Sequence, residues 1–195
     1  MKKLFFLIIL FFSFGISFSQ SFMHGAGVVI FVGTVSGGAA TVNGGVTYSP
    51  RINFLEMENS SLSIGIPLSA GISGDYYTDT YGSSENTLSL MLDVPLILNY
   101  NIGCGSSKEN ESRFGFFAGG GFGYRTSSYN ENVDDGNGYT YQDAVKVSTF
   151  GPVGNAGVRI AVGRHRKNIE IKLSFMIGLD KSSVNTYGVH TLFNF

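Results

Sequence analysis

Tyr187-Gly188-Val189-His190-Thr191-Leu192-Phe193-Asn194-Phe195 closes the chain, and its period decides the fold. Counting back from the last residue, Phe195, Phe193, Thr191, Val189 and Tyr187 occupy every second position. Asn194, His190, Gly188 and Thr186 lie between them, with Leu192 the one large apolar residue in the second set. Side chains of a β-strand alternate between two faces, so a period of two describes a strand with one bulky apolar face and one small or polar face.

The same period recurs upstream. Eight runs stand out, at roughly 22–35, 44–56, 60–73, 87–102, 113–127, 145–163, 167–180 and 184–195. The seventh is the clearest: Ile169, Ile171, Leu173, Phe175, Ile177 and Leu179 alternate with Asn168, Glu170, Lys172, Ser174, Met176 and Gly178. The fourth sets Leu88, Leu90, Leu92, Val94, Leu96 and Leu98 against Ser89, Met91, Asp93, Pro95, Ile97 and Asn99. The first, around Gly25–Val32, has two apolar or glycine faces and is the least regular. No run shows the i, i+3, i+4 spacing of an amphipathic helix. Pro50, Pro67, Pro95 and Pro152 each remove a ladder donor and are expected at bulges or strand ends.

The charges identify the solvent. Only 14% of the residues are charged, against an average of about 25%. Within the strands the charges fall singly on the small-residue face: Arg51, Asp93, Arg125, Arg159, Glu170 and Lys172. A soluble up-and-down barrel would carry a Lys- and Glu-rich outer face. Here the opposite face is nearly pure aliphatic and aromatic, as lipid requires. The expected architecture is therefore all-β: an eight-stranded antiparallel up-and-down transmembrane β-barrel. Its lumen is expected to hold an ion-pair network of those six residues, since side chains just fill a barrel of eight strands and unpaired buried charges are costly.

The connections alternate in length. Counting from a periplasmic N-terminus, Glu56–Ser61, Gly103–Ser112 and Gly163–Asn168 form the periplasmic set, with Gly103–Ser112 longer than such turns usually are. Ser36–Asn43, Ser73–Asn86, Ser128–Ala144 and Asp180–Val184 form the outer set. The two longest are acidic and Tyr-rich, through Asp75, Tyr76, Tyr77, Asp79, Tyr81 and Glu85, then Tyr129, Glu131, Asp134, Asp135, Tyr139, Tyr141 and Asp143. These carboxylates lack the ordered spacing of a calcium loop and read as solvated surface. Aromatic rings favour the headgroup level. Tyr48, Tyr124 and Tyr187 are expected near the outer strand ends, and Tyr100, Phe114, Phe193 and Phe195 near the periplasmic ends.

The N-terminus agrees on location. Lys2 and Lys3 precede an almost unbroken apolar run, Leu4 to Phe14, and Ser17-Phe18-Ser19 offers small residues before Gln20. This is the build of a signal peptide over 1–19, leaving a barrel domain over 20–195. No cysteine follows the apolar run, which argues against a lipoprotein, and the lone Cys104 cannot form an internal disulfide. A net charge of −1 implies no nucleic acid partner.

Catalytic signatures are missing from the sequence. His24, His165 and His190 fall at a strand start, a turn and the lumen face, and none has a neighbouring Asp or Ser in an outer loop. The Gly119-Gly120-Gly121-Phe122-Gly123 run lacks the Lys and helix of a phosphate loop. No catalytic, cofactor-binding or metal-ligating residues are assigned; the chain reads as a non-enzyme with no cofactor.

Signal peptide, eight period-two strands, a Gly-rich fifth strand and a terminal Phe together resemble the small outer-membrane β-barrel families of Gram-negative bacteria, of the PorT-like and OmpA/OmpX-like kind. The resemblance covers nearly all of the mature chain. It implies the cell outer membrane as location, and outer-membrane lipid and the β-barrel assembly machinery as partners. Tyr187, Val189, Phe193 and Phe195 resemble the C-terminal assembly signal of such barrels. The role implied is structural or surface-interacting, through an extracellular ligand. Two alternatives stay open: a narrow porin-like channel for small solutes, and an accessory component working with secretion-system proteins in outer-membrane secretion or assembly.

Overall fold

A computed structural model describes residues 20–34, 41–78, 84–107, 109–134, 140–163, 167–180 and 184–195; for 73–78, 84–89, 128–134 and 140–145 only the backbone is described. The proposed signal peptide, His165 and the tips of the outer connections lie outside the described residues. Among the described residues nine strands form: β1 (Ser21–Thr34), β2 (Thr41–Phe54), β3 (Ser60–Gly65), β4 (Leu68–Thr78), β5 (Ser84–Gly103), β6 (Phe114–Asp134), β7 (Thr140–Ala161), β8 (Asn168–Met176) and β9 (Asn185–Asn194). Every pairing is antiparallel between neighbours, and β1 pairs with β9 as well as β2, so the sheet closes on itself.

β3 and β4 occupy one position in the wall. Both pair with β2 on one side and β5 on the other. The ring therefore has eight positions, as the eight runs predict. The interruption falls at Ile66–Pro67, and three prolines gather there. Pro67 lies in the gap itself. On one side Pro50 lies between the β2–β3 pairing, which starts at Arg51, and the β2–β4 pairing, which ends at Tyr48. On the other side Pro95 lies between Asp93, the last partner of β4, and Ile97, the first partner of β3. The missing proline donors are thus concentrated at one break rather than scattered through the ladder. Pro152 stands just outside the β7–β8 ladder, where its carbonyl accepts from the Ile177 amide at 3.1 Å.

Three boundaries differ from the sequence reading. β6 and β7 pair continuously from Phe114↔Ile160 to Asp134↔Thr140, so most of the expected loop 128–144 is strand. Likewise β4 and β5 run through much of 73–86, pairing up to Thr78↔Ser84. Backbone ladders continue after the apolar pattern has ended, because the pattern reports lipid and the hydrogen bonds do not need it. β8 is shorter than its run and ends at Met176.

Inside and outside follow the predicted phase. On β9, Tyr187, Val189, Thr191, Phe193 and Phe195 are exposed, and Thr186, Gly188, His190, Leu192 and Asn194 are buried. Exposed large apolar side chains recur around the ring, including Phe22, Val46, Ile64, Leu96, Phe116, Phe150, Leu173 and Val189. A continuous belt of this kind far exceeds the isolated apolar patches of a soluble surface. It is the lipid-facing band of a transmembrane barrel.

The girdle expectation needs one correction. Tyr124 marks the upper limit of the band on β6, since Thr126 and Ser127 follow it, and Tyr187 lies near the start of β9, on Phe175 at 5.1 Å between ring centroids. Tyr48, expected at the outer end, instead reaches toward the terminal end. Its hydroxyl bonds His24 Nδ1 at 3.1 Å, and the His24 ring lies 4.3 Å from that of Phe195. The cause is register: Tyr48 pairs with Ala26, two residues above His24.

Candidate functional site in the barrel lumen

The lumen is built by alternation, one inward residue at every second position of each strand. Nearest the chain termini, Arg51 of β2, Asn53 of β2, Asn101 of β5, Arg159 of β7, Asn168 and Glu170 of β8 and Asn194 of β9 are all buried. Glu170 organises this lower deck. Its Oε2 accepts from Arg159 Nε at 2.7 Å, Arg51 Nη1 at 3.0 Å and Asn194 Nδ2 at 3.1 Å. Arg159 Nη1 also donates to Asn101 Oδ1 at 2.9 Å, and Asn101 Nδ2 to Ser63 Oγ at 3.0 Å. Asn194 Nδ2 donates to Asn168 Oδ1 at 2.7 Å. The Arg159 guanidinium lies 4.2 Å above the Phe117 ring, a stacking contact worth more in a desolvated setting than in water. One carboxylate therefore holds two guanidinium groups drawn from opposite sides of the ring.

The turn from Gly103 to Ser107 closes the same end. Gly103 and Gly105 adopt φ of +73° and +76°, a left-handed backbone that glycine takes without Cβ strain. This lets the chain fold back toward the mouth, so that Cys104, Ser106 and Ser107 are buried. Asn53 Nδ2 donates to the Ser106 carbonyl at 2.9 Å, and a Cβ on Gly105 would press on Arg159 Cδ at 3.1 Å. Asn110 Nδ2 ties this connection to the β2–β3 turn through Asn59 Oδ1 at 2.8 Å, and Ser21 Oγ bonds Glu56 Oε1 beside it. The turn whose length stands out in the sequence is thus the cover of the lumen mouth.

A second deck lies above. Asp93, Arg125, Lys172 and His190 are buried there with Phe31, Met91, Ile97, Val153, Met176 and Thr186. Asp93 and Arg125 are cross-strand partners in the β5–β6 register. Even so, Arg125 turns elsewhere: its Nη2 lies 2.8 Å from Met91 Sδ and its Cζ 4.1 Å above the Phe31 ring. His190 Nε2 lies 2.9 Å from Ser174 Oγ. A small cavity of about 20 Å³ remains between them. Glycines make room for this filling. Gly119, Gly121 and Gly123 face inward on β6, and a Cβ on Gly121 would strike the Leu96 carbonyl oxygen.

All six charged residues singled out in the sequence face inward and are buried, but they divide into two groups. Arg51, Arg159 and Glu170 meet directly, and among the described residues both ion pairs within 4.0 Å fall on Glu170. Asp93, Arg125 and Lys172 make no ion pair within 4.0 Å among the described residues, and Lys172 stands two residues along β8 from Glu170, between the two groups. The sequence reading expects one network of all six, whereas the ion pairs realised join Glu170 to its β7 register partner Arg159 and, across the barrel, to Arg51. The sequence reading puts Asn53, Asn101, Asn168 and Asn194 at the small-face phase near the terminal ends of their strands but gives them no part in the network, which is where the structure places them. It also missed His190 as an upper-deck residue bonded to Ser174. Among the described residues no group of three or more His, Cys, Asp or Glu could hold a metal ion.

Neisserial surface protein A superposes with a TM-score of 0.54 at 11% identity, over 90% of this chain and 97% of that one. Ail, the attachment invasion locus protein of Yersinia pestis, solved with the heparin analogue sucrose octasulfate, gives 0.50 at 8% identity, over 90% and 98%. The fold is that of a small outer-membrane β-barrel. No protein-family model and no curated protein matches the sequence. At these identities the likeness is one of architecture, so the lumen and loop chemistry has to be read from this chain alone.

Proposed function

We propose that this chain is an integral barrel of the cell outer membrane that works at its outer face, as a rigid mount for surface-interacting loops rather than as a channel. The observation that carries this reading is the lower deck. Glu170, Arg51, Arg159 and the Cys104–Ser107 turn fill the terminal mouth, which is the periplasmic one under the rule that short turns face the periplasm. Residues 1–19 serve as the signal peptide, and Tyr187, Val189, Phe193 and Phe195 as the feature read by the assembly machinery. Recognition falls to the acidic, Tyr-rich outer connections around Asp75–Glu85 and Tyr129–Asp143. Ail was solved with a heparin analogue. The acidic loops here point instead to a neutral or cationic surface as the binding partner.

Two measurements test the reading. The protein should fractionate with the outer membrane and run faster unboiled than boiled, as closed barrels do. Whole cells displaying it should adhere to a cationic or protein-coated surface, and exchanging the loop carboxylates for amides should remove the effect. Recovery in the soluble periplasm, or stable conducting openings in planar bilayers, would overturn it.

A further inference from the structure

We propose that the upper deck of the lumen binds one small monovalent anion of halide size. Charge is the first argument. Among the described residues the lumen buries four cations, Arg51, Arg125, Arg159 and Lys172, and two carboxylates, Asp93 and Glu170. Glu170 is engaged by Arg51 and Arg159. That leaves Arg125 and Lys172 with Asp93 in the upper deck, where no ion pair within 4.0 Å forms among the described residues. Each deck carries one positive charge in excess, and uncompensated charge away from water is costly.

Unused donors are the second argument. Arg125 Nη1, Thr186 Oγ1 and His190 Nδ1 are buried without a hydrogen-bond partner, on side chains only 3%, 3% and 2% exposed. All three residues line the same cavity, together with Lys172 and Ser174. With the Ser174 hydroxyl donating to His190 Nε2, Nδ1 carries the ring proton and is left as an unpartnered donor on a residue that lines that cavity.

Size and position narrow the ligand class. A cavity of about 20 Å³ holds one water-sized body. It suits chloride or bromide and excludes a tetrahedral oxyanion. Pro67 and Pro95 line it, so it sits beside the break between β3 and β4, where the wall lacks ladder donors. Asp93 lines it too and limits the affinity. The covered terminal mouth leaves the opposite end as the route of entry. None of this depends on what the outer loops bind.

The test uses the refolded mature barrel in detergent micelles. Urea midpoints are measured at fixed pH and ionic strength while sodium chloride replaces sodium gluconate, whose anion cannot fit. A ligand that binds only the folded state raises the folding constant in proportion to its concentration once well above its dissociation constant, so tenfold more chloride gives up to tenfold. Bromide should substitute for chloride and give an anomalous peak between Arg125 and His190 in soaked crystals. Asp93→Asn should steepen the chloride dependence, and Arg125→Met should abolish it. If Arg125→Met does not fold, the wild type and Asp93→Asn decide. Equal midpoints in chloride and gluconate for both, with no anomalous peak, would overturn the site. So would an Asp93→Asn variant that is destabilised with no chloride dependence, which would assign the cavity to an internal water and an Asp93 pairing.

Discussion

Glu170→Gln isolates the charge that holds the lower deck. The amide keeps the shape and one acceptor oxygen, so the perturbation is electrostatic rather than a cavity. In the wild type, one oxygen serves Arg159 at 2.7 Å, Arg51 at 3.0 Å and Asn194 at 3.1 Å, and both arginines are at most 5% exposed. Removing one partner of a buried pair typically costs about 3–5 kcal/mol, because the remaining charge stays desolvated. Here two guanidinium groups are left, although Asn101 still accepts from Arg159 and each cation retains an aromatic or sulfur neighbour. With a urea slope of about 2 kcal/mol per molar for a small domain, the midpoint should fall by about 1.5–2.5 M. The chain has no Trp, so unfolding in lipid vesicles is followed by circular dichroism or by the boiled-to-unboiled gel shift. A cycle with Arg159→Met should show coupling of at least about 1 kcal/mol, the range for residues in direct contact. Coupling to Lys172→Met should be weaker, since the ion pairs within 4.0 Å both involve arginine. A Glu170→Gln midpoint within about 0.3 M of wild type, which on the same slope is under about 1 kcal/mol, would refute the buried-clamp reasoning.

Three other outcomes are expected. Phe193→Ser with Phe195→Ser should lower the amount reaching the outer membrane, measured by fractionation, whereas Asn194→Ala should assemble normally yet lose about 1–3 kcal/mol in urea titration, because its amide serves Asn168 and Glu170. Planar bilayers should show no stable openings for the wild type, while Glu170→Ala, which opens space in the deck as well as removing its charge, should let small ions through. Gly121→Val should prevent folding or lower the melting point sharply, since its Cβ would meet the Leu96 carbonyl oxygen; a Gly121→Val barrel with a normal gel shift and midpoint would show that the wall can yield there.

The wall was legible in the sequence because lipid and lumen impose opposite demands on neighbouring residues. Ile169 to Leu179 and Tyr187 to Phe195 state the period, and exposure alternates with it except at Ser174 and Phe175, which are both half-buried. Strand ends were less legible where the ladder outlasts the lipid. Beyond Tyr124 the residues of β6 turn polar, yet pairing with β7 continues to Asp134. The β3–β4 break was half legible. Each of Pro50, Pro67 and Pro95 announces a missing donor, but only the register reveals that they surround one gap.

The lumen shows where sequence reasoning stops. Alternation assigns Arg51, Asp93, Arg125, Arg159, Glu170 and Lys172 to the interior, because period two fixes the face. It does not fix height, and height chooses partners. Strand tilt and stagger set which inward residues share a level, so Glu170 meets Arg51 across the ring, 119 residues away in sequence. Arg125 sits opposite Asp93 in register yet prefers the Phe31 face and the Met91 sulfur. The part the asparagines play was illegible for a related reason. Asn53, Asn101, Asn168 and Asn194 look like ordinary strand-end polar residues one by one, and they become a layer only when the ring closes. Within that layer the amides divide by role: Asn101 Oδ1 accepts from Arg159, whereas Asn194 donates to Glu170 and Asn168, and Asn53 donates to the Ser106 carbonyl. Neutral amides thus extend the contacts of the one carboxylate and one of the two guanidinium groups without changing the net charge of a deck that already has one positive charge in excess.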